Sequence, residues 1–147
     1  MPNANGTIQL APFYNFTSAN QTTGTTSVGV QVNYGKGIIF IPRTGTNATI
    51  SMSMITQDST AGDGCKVDIR WAAGSFPGVN SAVSGTAAGQ NFKTVIPTTA
   101  NLPQESEKTV LITGLTAGTK YAAWPSYSAL TGGTCFIYNL DMYAMAP

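Results

Sequence analysis

The side chains that most often carry catalysis are scarce in this sequence of 147 residues. It contains no histidine, which excludes Ser-His-Asp and Cys-His mechanisms and the usual general base at neutral pH. A glycosidase needs only two carboxylates that face each other across a sugar. Every carboxylate here falls in a predicted loop or on a solvated strand face, so we expect no enzymatic activity. The six are Asp58, Asp63, Asp68, Glu105, Glu107 and Asp141.

We expect no cofactor and no metal. Asp58 and Asp63 in QDSTAGDG offer oxygen ligands, but their spacing differs from that of a calcium loop, so a turn is the preferred interpretation. Two cysteines without histidine cannot form a structural zinc site. GVQVNYGKG resembles a phosphate loop, yet the interval between its first glycine and its Gly-Lys pair differs from that of the motif. Gly37 also stands where the motif requires Ser or Thr.

The two cysteines, Cys65 and Cys135, lie far apart in the sequence and form no Cys-x-x-Cys motif. The first residues, MPNANGTIQL, lack the positive and apolar regions of a secretory signal peptide. Because thiols stay reduced in the cytoplasm, we expect two buried, reduced thiols and not a disulfide.

Charged residues make up only 9% of the chain, against a usual value of about 25%. Thr, Ser, Asn, Gln and Gly must therefore build the surface, which suits a protein that is assembled with others. The seven Lys and Arg residues are scattered and form no basic stripe, so we expect no nucleic-acid binding. No run of about 20 apolar residues is present, so we expect no transmembrane helix.

The sequence alternates between apolar and polar residues with a period of two, which predicts β-strands separated by turn signals. We predict an all-β, jelly-roll-like sandwich of about eight antiparallel strands. Residues 38–41 are continuously apolar, which predicts a strand covered on both faces. Residues 72–89 are predicted to form a long connection, and Pro125 to mark a sheet edge or bulge. The predicted strands are 28–34, 38–41, 48–54, 65–71, 92–96, 107–113, 120–129 and 134–145.

The stretch VLITGLTAGTKYAAWPSY, residues 110–127, organises the rest of the chain. It reads as a strand, a turn and a returning strand that Tyr121 opens. An apolar residue before such a turn and a tyrosine after it tie down the corner between two packed sheets.

The last predicted strand is apolar on both faces, so both faces need cover. One face is predicted to belong to the core: Phe136, Tyr138, Leu140 and Met142. The other is predicted to form an oligomer interface: Ile137, Tyr143 and Met145.

Residues 1–26 are rich in Asn, Thr and Gln and are predicted to form an arm that precedes the sandwich domain of residues 27–147. Two interpretations of the arm stay open. It is either a frayed tail with a short edge strand at 13–16, or an arm ordered against a neighbouring subunit. In the second case the contacts are predicted to be Ile8, Leu10, Phe13 and Phe16.

GLTAGTKYAAWPSY followed by SALTGGTCFIYNLDMY resembles the C-terminal half of jelly-roll domains in tailed-bacteriophage virion proteins. There a Gly-Leu-Thr-x-Gly-Thr-x-Tyr corner precedes a strand, a Gly-rich turn and a final apolar strand. Fibronectin modules carry a similar corner, but Ala117 replaces their proline. Fibre tips and capsid decoration proteins of this kind tend to be trimers related in shape to the tumour-necrosis-factor and C1q folds, so the resemblance implies a homotrimer.

The resulting prediction is a non-enzymatic structural protein of a virion, a capsid decoration or cement protein assembled in the host cytoplasm. Its partners would be further copies of itself and the major capsid protein or neighbouring virion subunits, without nucleic acid or membrane. The alternative is a receptor- or glycan-binding fibre tip, in which Trp124 and Tyr127 stack on sugar rings. Trp and Tyr in a sandwich also serve in the core or an interface, so both roles stay open.

Overall fold

The computed structural model describes residues 7–10, 14–15, 22–23, 30–31, 37–75, 77, 83–94 and 96–147, of which 7–10, 14–15, 22–23, 30–31, 89–93 and 138–139 by backbone alone. No helix in these ranges is long and apolar enough to cross a membrane. The strands are β1 (Thr7–Leu10), β2 (Tyr14–Asn15), β3 (Thr22–Thr23), β4 (Val30–Gln31), β5 (Ile38–Phe40), β6 (Ala48–Asp58), β7 (Cys65–Ala73), β8 (Thr86–Lys93), β9 (Gln104–Ile112), β10 (Tyr121–Ala129) and β11 (Cys135–Ala146).

The strands form two antiparallel sheets. Sheet I has the order β1-β11-β6-β9, with β2 and β3 also paired to β11. Sheet II has the order β4-β10-β7-β8, with β5 also paired to β10. Chain neighbours such as β6 and β7 lie in different sheets, as in a sandwich with crossing connections. The predicted all-β, jelly-roll-like sandwich is confirmed.

The core lies between the sheets and follows from the period-two alternation of each strand. Sheet I contributes alternate residues of β6 and of the last half of β11 to this core. Sheet II contributes inward-facing residues of β7 and β10. The largest fully buried side chains are Tyr127, Phe40, Ile50, Met52, Met54, Ile69, Ile112, Ile137, Leu140 and Met142.

The predicted corner is present. The hydroxyl oxygen of Tyr121 accepts a hydrogen bond from the backbone N–H of Thr116 at 2.9 Å. The ring of Tyr121 stacks on Phe40, with centroids 5.8 Å apart, and meets the edge of Trp71 at 5.7 Å. Leu115 before the turn is buried. The tyrosine therefore ties the β9–β10 turn to the start of β10, as the sequence predicted.

Three strand predictions need correction. Residues 38–41 are not covered on both faces, because β5 alternates and leaves Ile39 and Ile41 exposed. The predicted connection 72–89 contains the start of β8, which pairs with β7 despite its small residues. Pro125 lies in the fully buried β10, opposite Ile69 of β7. On the other side of β10, residues up to Ala123 pair with β5, and residues from Ser126 onward pair with β4. Pro125 therefore lies between the two stretches of described pairing.

A register shift in β11 changes which of its residues face the core. The pairing with β6 slips between Ile137 and Asn139, and an extra residue in one strand reverses the phase of the side chains beyond it. Ile137 is consequently fully buried in the core, and its assignment to an outer interface face was wrong. Leu140 and Met142 are buried as predicted, whereas Phe136 is only half-buried.

Cys65 and Cys135 form a disulfide with Cα atoms 5.4 Å apart, which corrects the prediction of reduced thiols. Each cysteine is the first residue of its strand, β7 in sheet II and β11 in sheet I. The two strands begin at the same end of the sandwich with both side chains inward, so the bond joins the sheets. The sequence signal was the shared inward phase of Cys65 with Val67 and Ile69.

Candidate functional site

The outer face of sheet I is open to solvent across its three long strands. Cross-strand pairing between β11, β6 and β9 arranges the outward residues into rows. Residues directly opposite each other in an antiparallel pair lie on one face with Cβ atoms about 5 Å apart. The rows are Met145–Thr49–Leu111, then Tyr143–Ser51–Thr109, then Asp141–Ser53–Glu107.

These rows change in chemistry along the strands. The first row is apolar at both ends, and Leu111 is 61% and Met145 47% exposed. The second row carries one exposed tyrosine and two hydroxyls, with Ser51 Oγ 2.8 Å from Thr109 Oγ1. The third row has a carboxylate at each end. One face thus passes from apolar through hydroxyl-bearing to acidic within three rows.

A shallow groove of about 70 Å³ runs along β6 through the second and third rows. Small side chains of the central strand, Ser51 and Ser53, form its floor. Larger side chains of the flanking strands form its walls: Tyr143 and Asp141 on β11, Thr109 and Glu107 on β9. The groove is a direct result of placing serines on the middle strand between longer residues.

A second, open cavity of about 190 Å³ lies at the apolar end of the same face. Its lining is mostly apolar, with Leu111, Met145, Ala48 and Pro147 beside the polar Asn47 and Thr49. The backbone of β1 runs beside it, since Ile8 is the register partner of Met145 and Leu10 that of Tyr143. We call the exposed row Met145–Thr49–Leu111 the apolar row.

The outer face of sheet II is different along β10, because the side chains there are buried, although Ile39 of β5 on the same face is 41% exposed. Trp124 is 3% exposed and Ser126 1%, and both alternate with the core residues Ala123 and Tyr127. Their register partners on β7 are Arg70 and Asp68, which form an ion pair of 2.7 Å. Within the described residues, Trp124 Nε1, Ser126 Oγ and Arg70 Nε have no hydrogen-bond partner.

The predicted sugar-stacking residues are therefore not available. Trp124 is buried on the outer side of sheet II, and Tyr127 is buried in the core at 2% exposure. Burial raises the pKa of Tyr127, since the phenolate is poorly solvated there. The assignment of a glycan site to these two residues was wrong, because neither ring has a face open to a ligand.

The remaining predicted contacts are placed as follows. Tyr143 and Met145 lie exposed on the outer face of sheet I, where they were predicted, and their role in an interface stays a prediction. Ile8 and Leu10 belong to β1, which pairs with β11 of the same chain. Phe13 and Phe16 lie outside the described residues.

Two buried aspartates lie at the end of the sandwich near the disulfide. Asp58 Oδ1 accepts the N–H of Thr60 at 2.7 Å, while Oδ2 has no partner among the described residues. Burial raises the pKa of Asp58 and outweighs that hydrogen bond, and the charge of Asp63 raises it further.

Asp63 shows the opposite balance. Its burial also favours the neutral form, but Asp63 Oδ1 accepts the N–H groups of Gly64 at 2.8 Å and Thr131 at 3.0 Å. These hydrogen bonds outweigh burial and lower the pKa of Asp63. Asp63 thus clamps the β10–β11 turn to the β6–β7 loop. In the described part of the chain, no group of three or more His, Cys, Asp or Glu side chains is arranged to hold a metal ion.

Sequence reasoning missed the groove itself. Its signals were present separately, since Glu107 and Thr109 alternate on one strand and Asp141 and Tyr143 on another. Nothing in the sequence states that both strands flank β6 or in which register they do so. The missing information was the pairing between strands.

The fold has relatives among solved structures. The chain superposes on the infectious bursal disease virus VP2 subviral particle with a TM-score of 0.50, 13% identity, and coverage of 97% of this chain and 33% of that one. For the T13 infectious bursal disease virus particle the TM-score is 0.51, the identity 13%, and the coverage 97% and 31%. The chain therefore spans about a third of the length of these relatives.

The chain thus shares its jelly-roll-like fold with part of these viral proteins. At this level of identity the similarity concerns the fold alone. A xylan-binding CBM22-1 domain from Paenibacillus barcinonensis also superposes, with a TM-score of 0.45, 8% identity, and coverage of 95% of this chain and 96% of that one. That score is too low to carry an argument. No family model matches the sequence, and no curated protein matches it.

Proposed function

We propose that this chain is a non-enzymatic structural protein of a virion, a decoration or cement protein of a tailed-bacteriophage capsid that assembles as a homotrimer. The fold is compatible with this role, because it is similar to part of a protein in the infectious bursal disease virus particle. The observation that carries the proposal is the apolar row, where Leu111 and Met145 stand exposed beside an apolar cavity.

An exposed apolar patch costs free energy in water, and contact with another subunit recovers about 25 cal/mol per Å² of buried apolar area. The neutral, charge-poor surface adds little repulsion between copies. We assign the apolar row to contacts between copies of this chain. Tyr143 borders this row on one side and the carboxylates on the other.

The disulfide also fits a particle that functions outside the cell, since such bonds persist on virion surfaces and are rare in the cytoplasm. In a particle assembled in the host cytoplasm, the bond would close after release. The arm would contribute contacts to the shell through Ile8, Leu10, Phe13 and Phe16, which is the sequence-based prediction carried forward.

Size-exclusion chromatography with light scattering tests the oligomer. We expect a trimer for the full chain and a monomer for the double variant Leu111→Ser/Met145→Ser. Leu102→Ser is the matched control, because Leu102 is also exposed but lies in the loop before β9, and it should leave the trimer intact. A monodisperse monomer of the unchanged chain would contradict the proposal.

Immunogold labelling of purified particles tests the location. Label spread over the shell supports a decoration protein, and label confined to fibre ends supports the alternative of a fibre tip. Deletion of residues 1–20, which also removes β1 and β2 from sheet I, is expected to abolish shell binding while the trimer survives, and thermal unfolding checks that the shortened sandwich is still folded. Label absent from particles contradicts a structural role.

A further inference from the structure

We propose that the groove on the outer face of sheet I binds one uncharged sugar residue, stacked on Tyr143 and held by hydrogen bonds to Asp141 and Glu107. This inference goes beyond the structural role proposed above. It depends on the groove and not on the oligomeric state.

The first support is the aromatic ring. Tyr143 is 41% exposed and is the one aromatic side chain that the structure describes as exposed. It forms part of the groove wall, so its ring borders the groove directly. Tyrosine combines a flat apolar surface with a polar hydroxyl. That combination suits the C–H face of a sugar ring together with one of its hydroxyls.

The second support is the pair of carboxylates. Asp141 and Glu107 are both register partners of Ser53, one on each side. Neighbouring strands lie about 4.8 Å apart, so the backbones of these two residues are about 10 Å apart. That distance admits one sugar ring with a hydrogen bond at each edge. The short side chain of Ser53 forms the floor between them, and its hydroxyl donates a hydrogen bond to Glu105 Oε1 at 3.4 Å.

Both carboxylates are available to a ligand. Among the described residues, the side-chain carboxylates of Asp141 and Glu107 take part in no hydrogen bond and no ion pair. A carboxylate accepts hydrogen bonds from hydroxyls, and such charge-assisted bonds are about twice as strong as neutral ones. The hydroxyls of Ser51 and Thr109 at the groove floor and wall add donors and acceptors.

Charge limits what the groove can accept. The outward positions that the structure describes on β6, β9 and β11 carry three carboxylates and no lysine or arginine: Glu105, Glu107 and Asp141. A sialylated, sulfated or phosphorylated ligand would be repelled. At about 70 Å³ the groove is smaller than ordinary ligand pockets, so one face of a single sugar ring rests on it, and the rest of that ring and any further units extend into solvent.

A protein side chain is the competing occupant, since an arginine or lysine would also satisfy the carboxylates. A cationic side chain would contact the carboxylates and the aromatic face of Tyr143, but it would leave the hydroxyls of Ser51 and Thr109 without a contact. An uncharged sugar uses the aromatic face, the carboxylates and the hydroxyls together. We therefore assign the groove to a sugar and treat a basic peptide as an outcome of the test.

The test uses the full chain against methyl glucoside, methyl galactoside, methyl mannoside and their neutral disaccharides, with sialyllactose and an arginine-rich peptide as counter-probes. Chemical-shift changes in NMR detect weak binding, and calorimetry gives Kd. We expect at least one neutral probe to bind and sialyllactose to bind at least tenfold more weakly. Release of new reducing ends is followed in the same samples, and none is expected.

Variants test the geometry. Tyr143→Ala should weaken binding at least tenfold, while Tyr143→Phe, which keeps the ring, should change it less than threefold. Asp141→Asn and Glu107→Gln should each weaken binding about tenfold. Leu111→Ser/Met145→Ser is the control, because it alters the apolar row and leaves the groove lining intact. It should disrupt the oligomer and preserve binding, which separates this inference from the proposed function.

Three results would overturn the inference. One is that no neutral sugar binds the folded chain. Another is that Tyr143→Ala binds as well as the unchanged protein. The third is that only the arginine-rich peptide binds, which would make the groove a protein docking site. Thermal unfolding of each variant is expected to match that of the unchanged chain, because these side chains are exposed.

Discussion

The outer faces of the two sheets differ in how far their side chains are exposed to solvent. On sheet I, most of the described side chains that point away from the core reach solvent, and they include a tyrosine, a leucine and a methionine, while Ser51 on the central strand is buried. On sheet II, the equivalent positions hold a buried tryptophan, a buried serine and a largely buried ion pair. Both faces obey the same alternation along their strands. Alternation therefore predicts which face of a sheet a side chain lies on, but it does not predict whether that face is exposed to solvent.

The difference decides where binding can occur. Gly85 shows how tightly sheet II is covered, because a Cβ there would lie 2.8 Å from the Trp124 ring. Among the described residues, nothing covers the groove on sheet I in this way, and two of its carboxylates have no side-chain partner. A binding function of the described surface is thus expected at this groove, while the buried side chains of β10 in sheet II contribute stability.

The largest effect is expected when Trp124 is compared with Tyr143. Trp124→Ala removes a buried ring and should lower the free energy of unfolding by about 3–5 kcal/mol. Tyr143→Ala removes an exposed ring and should lower it by less than about 1 kcal/mol. Denaturant unfolding of the two variants measures both values. Equal costs would show that the two faces do not differ as described.

The disulfide tests whether the two faces depend on each other, because it joins β7 of sheet II to β11 of sheet I. Cys65→Ala/Cys135→Ala should lower the free energy of unfolding by about 2–4 kcal/mol. Thermal unfolding of this variant should coincide with that of the unchanged chain under reducing conditions. If unfolding becomes biphasic, the sheets are separately stable and the bond is their main connection.

Gly85→Ala sharpens the description of sheet II. The residue has φ +75° and no room for a Cβ beside Trp124, so strain and crowding should together cost about 2–3 kcal/mol. Gly114→Ala is the matched control, since Gly114 has φ +76° and no atom within 4 Å of the added Cβ. It should cost only about 1 kcal/mol. A similar loss of stability in both variants would mean that Trp124 is not tightly covered.

The smallest effect on the free energy of unfolding is expected from the carboxylates, when buried Asp58 is compared with other aspartates. Asp58 has a raised pKa, so its contribution to stability is complete at pH values below 3.8 and is lost as the pH rises through its folded pKa. Asp58→Asn should therefore stabilise the protein at pH 7 by less than about 1 kcal/mol, and this gain should vanish at low pH.

Two controls accompany that measurement. Asp63 has a lowered pKa, so it stabilises above pH 3.8 and this contribution is lost as the pH falls through its folded pKa. Asp63→Asn should therefore be destabilising at pH 7. Asp141→Asn on the outer face of sheet I should change stability little at either pH. Unfolding curves at pH 3 and pH 7 provide the comparison, and a destabilised Asp58→Asn at pH 7 would contradict the assignment.

Much of the fold was predictable because strand alternation and turn residues are local signals. The corner at Tyr121 and the strands β6, β7, β9, β10 and β11 were predicted close to their observed bounds. Predictions failed where a long-range partner decided the outcome. The bulge that turns Ile137 inward and the pairing that surrounds Pro125 both depend on neighbouring strands.

The candidate site was less predictable than the fold. Tyr143 was identified as outward-facing, but its neighbours Ser51, Asp141 and Glu107 come from three strands whose order the sequence does not state. Trp124 was predicted to stack on a sugar ring in the alternative of a fibre tip. The ring is instead buried and lies against Gly85, a contact that no local pattern reveals.

The sequence by itself determined that this protein is an all-β sandwich without histidine chemistry, since composition and a period of two are properties of the chain alone. Tertiary structure decided which outward faces are open, which cysteines meet, and which side chains share a groove. The physical reason is that alternation is a local consequence of backbone geometry, whereas cover and cross-strand register depend on residues distant in the sequence.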